Sequence, residues 1–352
     1  MAQHAPTLAE RRRRRSGGAA LDLATGVNRY GPPPAVVAAL SALSAADVAT
    51  PPTDAAERLE AAYAGALGVD AGELVAGRGP AAFLRDLGRV VPGHAVAVSR
   101  PAQGAVLDAF PGRGFTRYPG ETIPSVDQVD AALDHAALVV ISNPQMPAGV
   151  TLDRDALADA ARRHPASTLI VDESAIDFLA DPSAASLVGV DADNVVVLRS
   201  GADFYGIPAT RTGVAWTRDP LMRSLLAGPD ALSGLDVVVT AAALGAGDWA
   251  TDTRRRLAAD AGWFHGVLPI LGGRPVKSAG PRLPYACVLS DTAAADAAAL
   301  AAAGIAVRVF GSAHGVYPGA LGLFAPLETE RTVLGTALGA TAGSRPILSA
   351  AG

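Results

Sequence analysis

Lysine chemistry is almost absent from this sequence. Lys277 is the single lysine among 29 basic residues, and all the others are arginines. A lysine amine can bond covalently to a carbonyl carbon once its pKa is depressed, whereas arginine stays charged and binds anions. Because Lys277 stands in a loop-like stretch, GGRPVKSAGPR, we expect a structural or solvent-exposed role for it. Arginine and carboxylate side chains are therefore the first candidates for chemistry.

Composition narrows the class of protein. Half of the 352 residues are hydrophobic and the net charge is −5, so no overall basic field attracts nucleic acid. The run Arg11–Arg15 reads as a solvated arm. A disulfide framework and a cysteine-built metal site are excluded because Cys287 is the only cysteine, and His94, His265 and His314 are isolated. With no signal peptide or membrane-spanning stretch recognisable, we expect a cytoplasmic protein without a metal or a membrane partner.

Apolar runs alternate with helical patterns along the first two thirds of the chain. Strands are predicted at Ala95–Ser99, Ala137–Ser142, Thr168–Val171 and Asn194–Leu198, and helices at Asp54–Leu67, Pro80–Val91, Ser125–His135 and Asp153–Arg163. The strand runs are almost continuously apolar, as strands buried on both faces require. This alternation predicts an α/β fold in which helices sandwich a mainly parallel sheet.

The pattern changes after Trp216 and predicts a second, smaller α+β domain. Helical segments run from about residue 221 to 271, and they are followed by a strand at Tyr285–Leu289, a helix near Asp291–Ala303, a strand at Ile305–Phe310 and a helix near Glu328–Leu338. We therefore expect an N-terminal arm at 1–20, a large domain at 21–250, a small domain at 251–342 with the N-terminal segment packing nearby, and a tail at 343–352.

Six segments resemble, in order, the histidinol-phosphate aminotransferase and threonine-phosphate decarboxylase group of the fold-type I enzymes that use pyridoxal phosphate (PLP). They are LDLATGVNRYGPPPAVVAAL (21–40), LGVDAGELVAGRGPAAFL (67–84), SNPQMPAG (142–149), VDESAIDF (171–178), NVVVLRSGADFYGIPATRTGVAW (194–216) and GIAVRVF (304–310). The resemblance implies the fold-type I architecture over roughly residues 20 to 340. It also implies a homodimer, because sites in this family form at the subunit interface.

The resemblance places Asp203 at the position where the family has the lysine that anchors the cofactor covalently. In the family, a lysine after Ser-x-Ser bonds to PLP and moves protons, and that segment corresponds to residues 200–203, Ser-Gly-Ala-Asp. A carboxylate cannot form the bond to PLP, but it can act as a general acid or base. A loop or N-cap aspartate is the alternative interpretation of Asp203.

Other family positions are also changed. Pro80 has no N–H to offer to a phosphate, Met146 replaces the asparagine that bonds the phenolic oxygen of the cofactor, and Ala175 replaces a tyrosine. In the family an arginine binds the substrate carboxylate, and its position corresponds to Gly322 in this sequence. Residues 321–326 contain no arginine. The cofactor cradle is therefore predicted to be eroded.

Three residues match the family, and one of them, Asn143, belongs to the matching loop without being a cofactor contact itself. Asp172 corresponds to the partner of the pyridine nitrogen, and Arg211 corresponds to the phosphate-binding arginine. A strand-end cap is the alternative for Asp172, and an ion pair with Asp172 or Asp203 is the alternative for Arg211.

These positions define the predicted site. The candidate catalytic residues are Asp203, Asp172, Tyr205 and His314, and the candidate ligand-binding residues are Arg211, Asn143, Arg78 and Arg199. We expect a repurposed biosynthetic enzyme that binds no cofactor and acts on a small anionic substrate derived from an amino acid. An inactive scaffold or partner subunit, and an enzyme that holds PLP or pyridoxamine phosphate (PMP) noncovalently, are the alternatives.

Overall fold

A computed structural model describes most of the chain. The described residues are 21–91, 96–99, 104–110, 125–145, 149–228, 231–268, 274–275, 283–311 and 319–335. Several residues named above lie outside them: the Arg11–Arg15 run, His94, Met146, Lys277 and His314.

The strands form three sheets among the described residues. They are β1 (Leu21–Asp22), β2 (Leu74–Gly77), β3 (Val96–Val98), β4 (Leu138–Ser142), β5 (Thr168–Asp172), β6 (Val195–Arg199), β7 (Gly213–Trp216), β8 (Arg274–Pro275), β9 (Tyr285–Leu289), β10 (Ile305–Ala306), β11 (Arg308–Phe310) and β12 (Ala320–Phe324). The large sheet has six strands in the order β2-β7-β6-β5-β4-β3. Strands β3 to β6 are parallel, whereas β7 runs antiparallel to both of its neighbours.

Helices cover both faces of the large sheet. The described helices are α1 (Pro34–Ser41), α2 (Ala45–Ala49), α3 (Ala55–Leu67), α4 (Pro80–Val90), α5 (Gly104–Ala109), α6 (Val126–Leu133), α7 (Arg154–Arg163), α8 (Pro182–Ala185), α9 (Pro220–Leu226), α10 (Gly234–Leu244), α11 (Gly247–Val267) and α12 (Ala293–Ala302). Of these, α12 packs against β10, β11 and β12 and not against the large sheet. Alternate residues of one strand face opposite helix layers: Val139 packs with α3, α6 and α7, while Val140 packs with α4 and α5. The predicted α/β sandwich is confirmed.

A smaller antiparallel sheet lies C-terminal to α11, in the order β11-β12-β9-β8. The N-terminal β1 pairs with β10, and Leu21 and Leu23 pack against Phe264 and Val288 in one apolar cluster. The predicted domain boundary at residue 250 falls inside α11. The proposed division of the chain therefore stays a prediction, although the N-terminal segment does pack against the small sheet.

Local departures from the predicted elements have physical causes. The strand expected at Ile305–Phe310 divides at Val307, because β10 pairs with β1 while β11 pairs with β12. The helical stretch from 221 to 271 is three helices, α9, α10 and α11, and Ser233 caps the second by accepting a hydrogen bond from the Asp236 amide.

No helix within the described ranges is long and apolar enough to cross a bilayer. Val37, Leu40 and Val48 are exposed on α1 and α2. The cytoplasmic location and the homodimer stay predictions.

Gly213 allows β7 to pack closely against the end of β6 and the glycine turn at Gly79. A Cβ at this residue would lie 2.5 Å from the Arg199 carbonyl oxygen and 2.9 Å from the Gly79 Cα. We expect Gly213→Ala to lower the free energy of unfolding by about 1–3 kcal/mol, because backbone must move to admit the methyl group. Chemical denaturation measures this change.

Gly262→Ala is the matched control. Gly262 lies in α11, and no atom lies within 4 Å of the position that a Cβ would occupy there. The same substitution should there raise stability by up to about 1 kcal/mol through helix propensity. Equal effects at both positions would contradict the packing argument.

Candidate functional site

A cavity of about 890 Å³ lies between the turn after β6 and the small sheet. It brings together two of the predicted residues, Asp203 and Arg211. Its other lining residues are Ala24, Thr25, Gly26, Val27, Ser174, Ala175, Phe178, Ala202, Pro208, Tyr285, Val307, Arg308, Val309 and Phe310. A carboxylate and guanidinium groups therefore converge in one cleft, where they could fix the orientation of a ligand.

The turn that carries Asp203 is held by backbone contacts. The Asn28 amide donates to the Asp203 carbonyl oxygen at 2.9 Å, and the Gly201 amide donates to the Tyr63 hydroxyl oxygen at 3.1 Å. Gly206 has a φ of +66°, and a Cβ there would lie 2.8 Å from the Gly31 carbonyl carbon. The turn is thus fixed against the N-terminal segment, with the Asp203 side chain exposed at the cavity.

Asp172 is a buried carboxylate at the end of β5. Its side chain accepts hydrogen bonds from the Ser174 amide, at 3.0 Å, and from the Ser174 hydroxyl. Among the described residues no arginine or histidine lies within ion-pairing distance of it. Burial therefore raises the pKa of Asp172, against the opposing effect of the Ser174 hydrogen bonds. Asp172 is not itself a lining residue of the cavity, but Ser174, which donates to its carboxylate, is.

Two arginines face the cavity, and sequence reasoning found one of them. Arg211 donates to the carbonyl oxygens of Pro208 and Thr210, at 2.9 and 3.2 Å, and makes no ion pair with Asp172 or Asp203. Arg308, which was not singled out, comes from β11 and lies 5.2 Å from the centroid of the Phe310 ring. Within the described part of the chain, neither guanidinium has a carboxylate within ion-pairing distance. Both are therefore available to an anionic ligand.

Arg308 lies directly opposite Gly322 in the antiparallel pair of β11 and β12. A Cβ at Gly322 would lie 2.5 Å from the Phe310 ring, so this ring fills the space above Gly322. Arg308 therefore lies on the strand adjacent to Gly322, the position that corresponds to the carboxylate-binding arginine of the family. Pairing between distant strands cannot be read from one sequence, and this explains why Arg308 was missed.

Arg199 belongs to a buried ion cluster and does not line the cavity. Its guanidinium contacts Glu173 Oε2 at 3.2 Å and Asp177 Oδ1 at 2.9 Å, and its side chain is 5% exposed. Arg254 reaches Asp177 Oδ1 at 3.7 Å and stacks on the Phe204 ring. The structure therefore assigns Arg199 to the scaffold of the site, where its charge is already neutralised.

The remaining predicted residues also lie away from the cavity lining. Asn143 donates to the Leu152 carbonyl oxygen and accepts from the Leu152 amide, so its side chain closes a loop. Tyr205 stacks on Trp249 at 5.9 Å, and burial raises the pKa of Tyr205 to about 12. Arg78 is exposed in the glycine turn. Their functional roles stay predictions, and His314 lies outside the described residues.

The glycine turn before α4 offers few amides. Gly79 has a φ of +85°, and α4 begins at Pro80, which has no N–H. The amides of Ala82 and Phe83 both donate to the Gly79 carbonyl oxygen. A helix N-terminus usually presents its first amides to an anion, so this turn is a weakened phosphate cup.

Comparison with known families identifies the chain. The model of the aminotransferase class I and II family matches residues 19–311. The chain belongs to this family. The histidinol-phosphate aminotransferase of Leuconostoc mesenteroides is 33% identical over 213 residues, which cover 56% of this chain and 58% of that protein. That of Symbiobacterium thermophilum is 31% identical over 232 residues, covering 62% of each. The chain thus aligns with less than two thirds of the length of these relatives.

Solved structures share the whole fold. The histidinol-phosphate aminotransferase of Sinorhizobium meliloti, in complex with pyridoxal-5'-phosphate, superposes with a TM-score of 0.79 over 98% of both chains at 20% identity. The L-threonine-O-3-phosphate decarboxylase of Porphyromonas gingivalis gives a TM-score of 0.77 at 17% identity, over 92% of this chain and all of that one. These similarities establish the fold-type I aminotransferase fold.

The expectation of a cofactor-free site is wrong. It rested on the missing lysine and the eroded cradle, but the chain belongs to an aminotransferase family, and the Sinorhizobium meliloti structure contains PLP. PLP is therefore the cofactor to expect. The residues present fit it in part: the buried carboxylate of Asp172 has no cationic partner in the described chain, and Arg211 and Arg308 suit anionic groups. That Asp203 stands at the position of the family lysine stays a prediction.

The buried cluster predicts a large effect of Arg199. Arg199→Met leaves the charges of Glu173 and Asp177 buried with less compensation, so unfolding free energy should fall by roughly 3–5 kcal/mol. Arg218→Met removes an ion pair to Asp191 whose side chains are 40% and 92% exposed, and should cost less than about 1 kcal/mol. Denaturant titrations of both variants measure the difference, and similar losses would contradict the assignment of Arg199 to the scaffold.

Proposed function

We propose that this chain binds PLP or PMP noncovalently in the Asp203 cavity and acts there on a small anionic substrate derived from an amino acid. The observation that carries the proposal is the buried Asp172 carboxylate, which has no cationic partner within the described residues. Such a group is unfavourable in a protein at rest. A protonated ring nitrogen would supply the missing partner.

PLP, when bound, supplies an electron sink for chemistry at the α-carbon of a substrate. The residues of this chain would hold and orient it. Asp172, positioned by Ser174, would accept the hydrogen bond of the ring nitrogen and favour its charged form. Arg211 and Arg308 would bind anionic groups of the cofactor and of the substrate. Asp203 would accept or donate a proton at the place that the family gives to lysine.

Direct titration tests the proposal. Purified protein should bind added PLP or PMP saturably, and dialysis should remove it. Borohydride treatment of the PLP complex should add no mass to the intact protein, because reduction fixes only a cofactor that is bonded to lysine. A mass gain at Lys277 would contradict the noncovalent mode. Failure to bind either cofactor would overturn the proposal and favour an inactive scaffold.

Asp172→Asn should weaken cofactor binding but stabilise the cofactor-free protein. The variant should bind PLP at least about tenfold more weakly, since it loses a charge-assisted hydrogen bond. The cofactor-free variant should be more stable than wild type at neutral pH, because it no longer buries a charge. Asp193→Asn, at a side chain that is 82% exposed, is the control and should change neither quantity.

The pH dependence follows from the raised pKa of Asp172. Between its unfolded and folded pKa values the folded state binds more protons, so its destabilising effect disappears as the pH falls through this window. The stability difference between wild type and Asp172→Asn should therefore shrink below neutral pH towards the ordinary range of an aspartate. A constant difference would contradict a buried charge at this position.

Asp203→Lys should restore covalent attachment. If Asp203 stands where the family lysine stands, an amine there can reach the aldehyde of PLP, and borohydride should then fix the cofactor to residue 203. Peptide mass spectrometry locates the modification. Asp193→Lys adds an equally exposed lysine outside the cavity and should remain unmodified at low PLP concentrations. Equal labelling of both variants would place Asp203 away from the cofactor.

A further inference from the structure

The hydroxyl of Tyr285 is buried and has no hydrogen-bond partner among the described residues. The residue is 6% exposed. Two other tyrosines use their hydroxyls within the protein: Tyr63 accepts from the Gly201 amide, and Tyr30 donates to Asp260 at 2.7 Å. A buried polar group without a partner opposes folding, so its occurrence beside a ligand cavity indicates a partner that the ligand brings.

The side chain of Tyr285 is held on several sides. It begins β9 opposite Phe324, and its ring centroid lies 6.3 Å from those of Phe324 and Phe178. A Cβ at Gly149 would lie 3.4 Å from the Tyr285 Cε2, and Gly149 has a φ of +72°. Because the ring is packed by the small sheet, the aromatic cluster and this loop, its hydroxyl cannot swing away to another partner.

The hydroxyl is a permanent donor beside the cavity. Burial raises the pKa of Tyr285, and the negative charge of Asp203 raises it further, so the phenol keeps its proton at neutral pH. Tyr285 lines the same cavity as Asp203 and Ala175. Tyr285 therefore forms part of the wall of the space where the resemblance places a cofactor.

Two family donors are absent at this place. The resemblance assigns the asparagine that bonds the phenolic oxygen of the cofactor to Met146 and a tyrosine to Ala175, and neither side chain here offers a donor. Tyr285 reaches the cavity from the small sheet. We propose that Tyr285 donates a hydrogen bond to the ring hydroxyl oxygen of the bound cofactor. This inference rests on the proposed noncovalent binding of PLP or PMP.

A chemical double-mutant cycle tests the contact. Equilibrium dialysis would measure the affinities of wild type and Tyr285→Phe for PLP and for an analogue that lacks the ring hydroxyl. Wild type should prefer PLP by about tenfold, the effect of one neutral hydrogen bond of ordinary strength. Tyr285→Phe should lose this preference while its affinity for the analogue stays unchanged. A loss that is equal for both ligands would overturn the assignment.

Stability without ligand supplies a second readout. Tyr285→Phe should leave the Tm of the cofactor-free protein unchanged or raise it, because no internal hydrogen bond is lost. Tyr63→Phe should lower the Tm, since the Gly201 amide loses its acceptor. A comparable drop in both variants would show that Tyr285 has a structural partner, and it would overturn the inference.

The outcomes separate this inference from the proposed function. If wild type binds PLP and Tyr285→Phe keeps the full preference over the analogue, the hydrogen bond is refuted and the proposed function stands. If wild type binds neither PLP nor PMP, both are overturned. Tyr30→Phe removes a hydroxyl outside the cavity lining and should retain the preference of wild type.

Discussion

A buried ion cluster at the ends of β5 and β6 holds the site together. Glu173 directly follows Asp172, and Arg199 is the last residue of β6, so their ion pair ties the exits of two neighbouring strands. Arg254 brings α11 to the same cluster through Asp177. The turn that carries Asp203 begins directly after Arg199. Because loss of the Arg199 charge would leave Glu173 and Asp177 buried with less compensation, we expect the geometry of the cavity to depend on this cluster.

Sequence patterns predicted the elements better than the contacts between them. The apolar runs located β4, β5, β6 and β9 closely, since strands buried on both faces need continuous Val, Ile and Leu. The family resemblance named Asp203 and Arg211, which do share a cavity. It missed Arg308 and Tyr285, because the small sheet brings them there by tertiary packing. It also treated Arg199 as a ligand residue, although its partners stand in the quoted segment VDESAIDF.

The error about the cofactor has a specific origin. Counting lysines addresses only the covalent bond, and a covalent bond is one of several attachments of PLP. The structure keeps features that cost stability without a ligand: a buried carboxylate at Asp172 and a buried hydroxyl at Tyr285. Groups of this kind are common where a protein trades stability for binding. Their unfavourable state in the free protein is information that a residue count does not contain.

The proposed noncovalent binding implies an exchangeable cofactor. Three charge-assisted hydrogen bonds, from Asp172, Arg211 and Arg308, would contribute about 1.5–3 kcal/mol each. Their total, before the entropy cost of association, corresponds to dissociation constants of roughly micromolar to submillimolar. Occupancy would then follow the concentration of free cofactor, whereas a lysine bond would retain it. Under the proposed noncovalent binding, an aspartate at position 203 would therefore make the cofactor a ligand that exchanges with the solution.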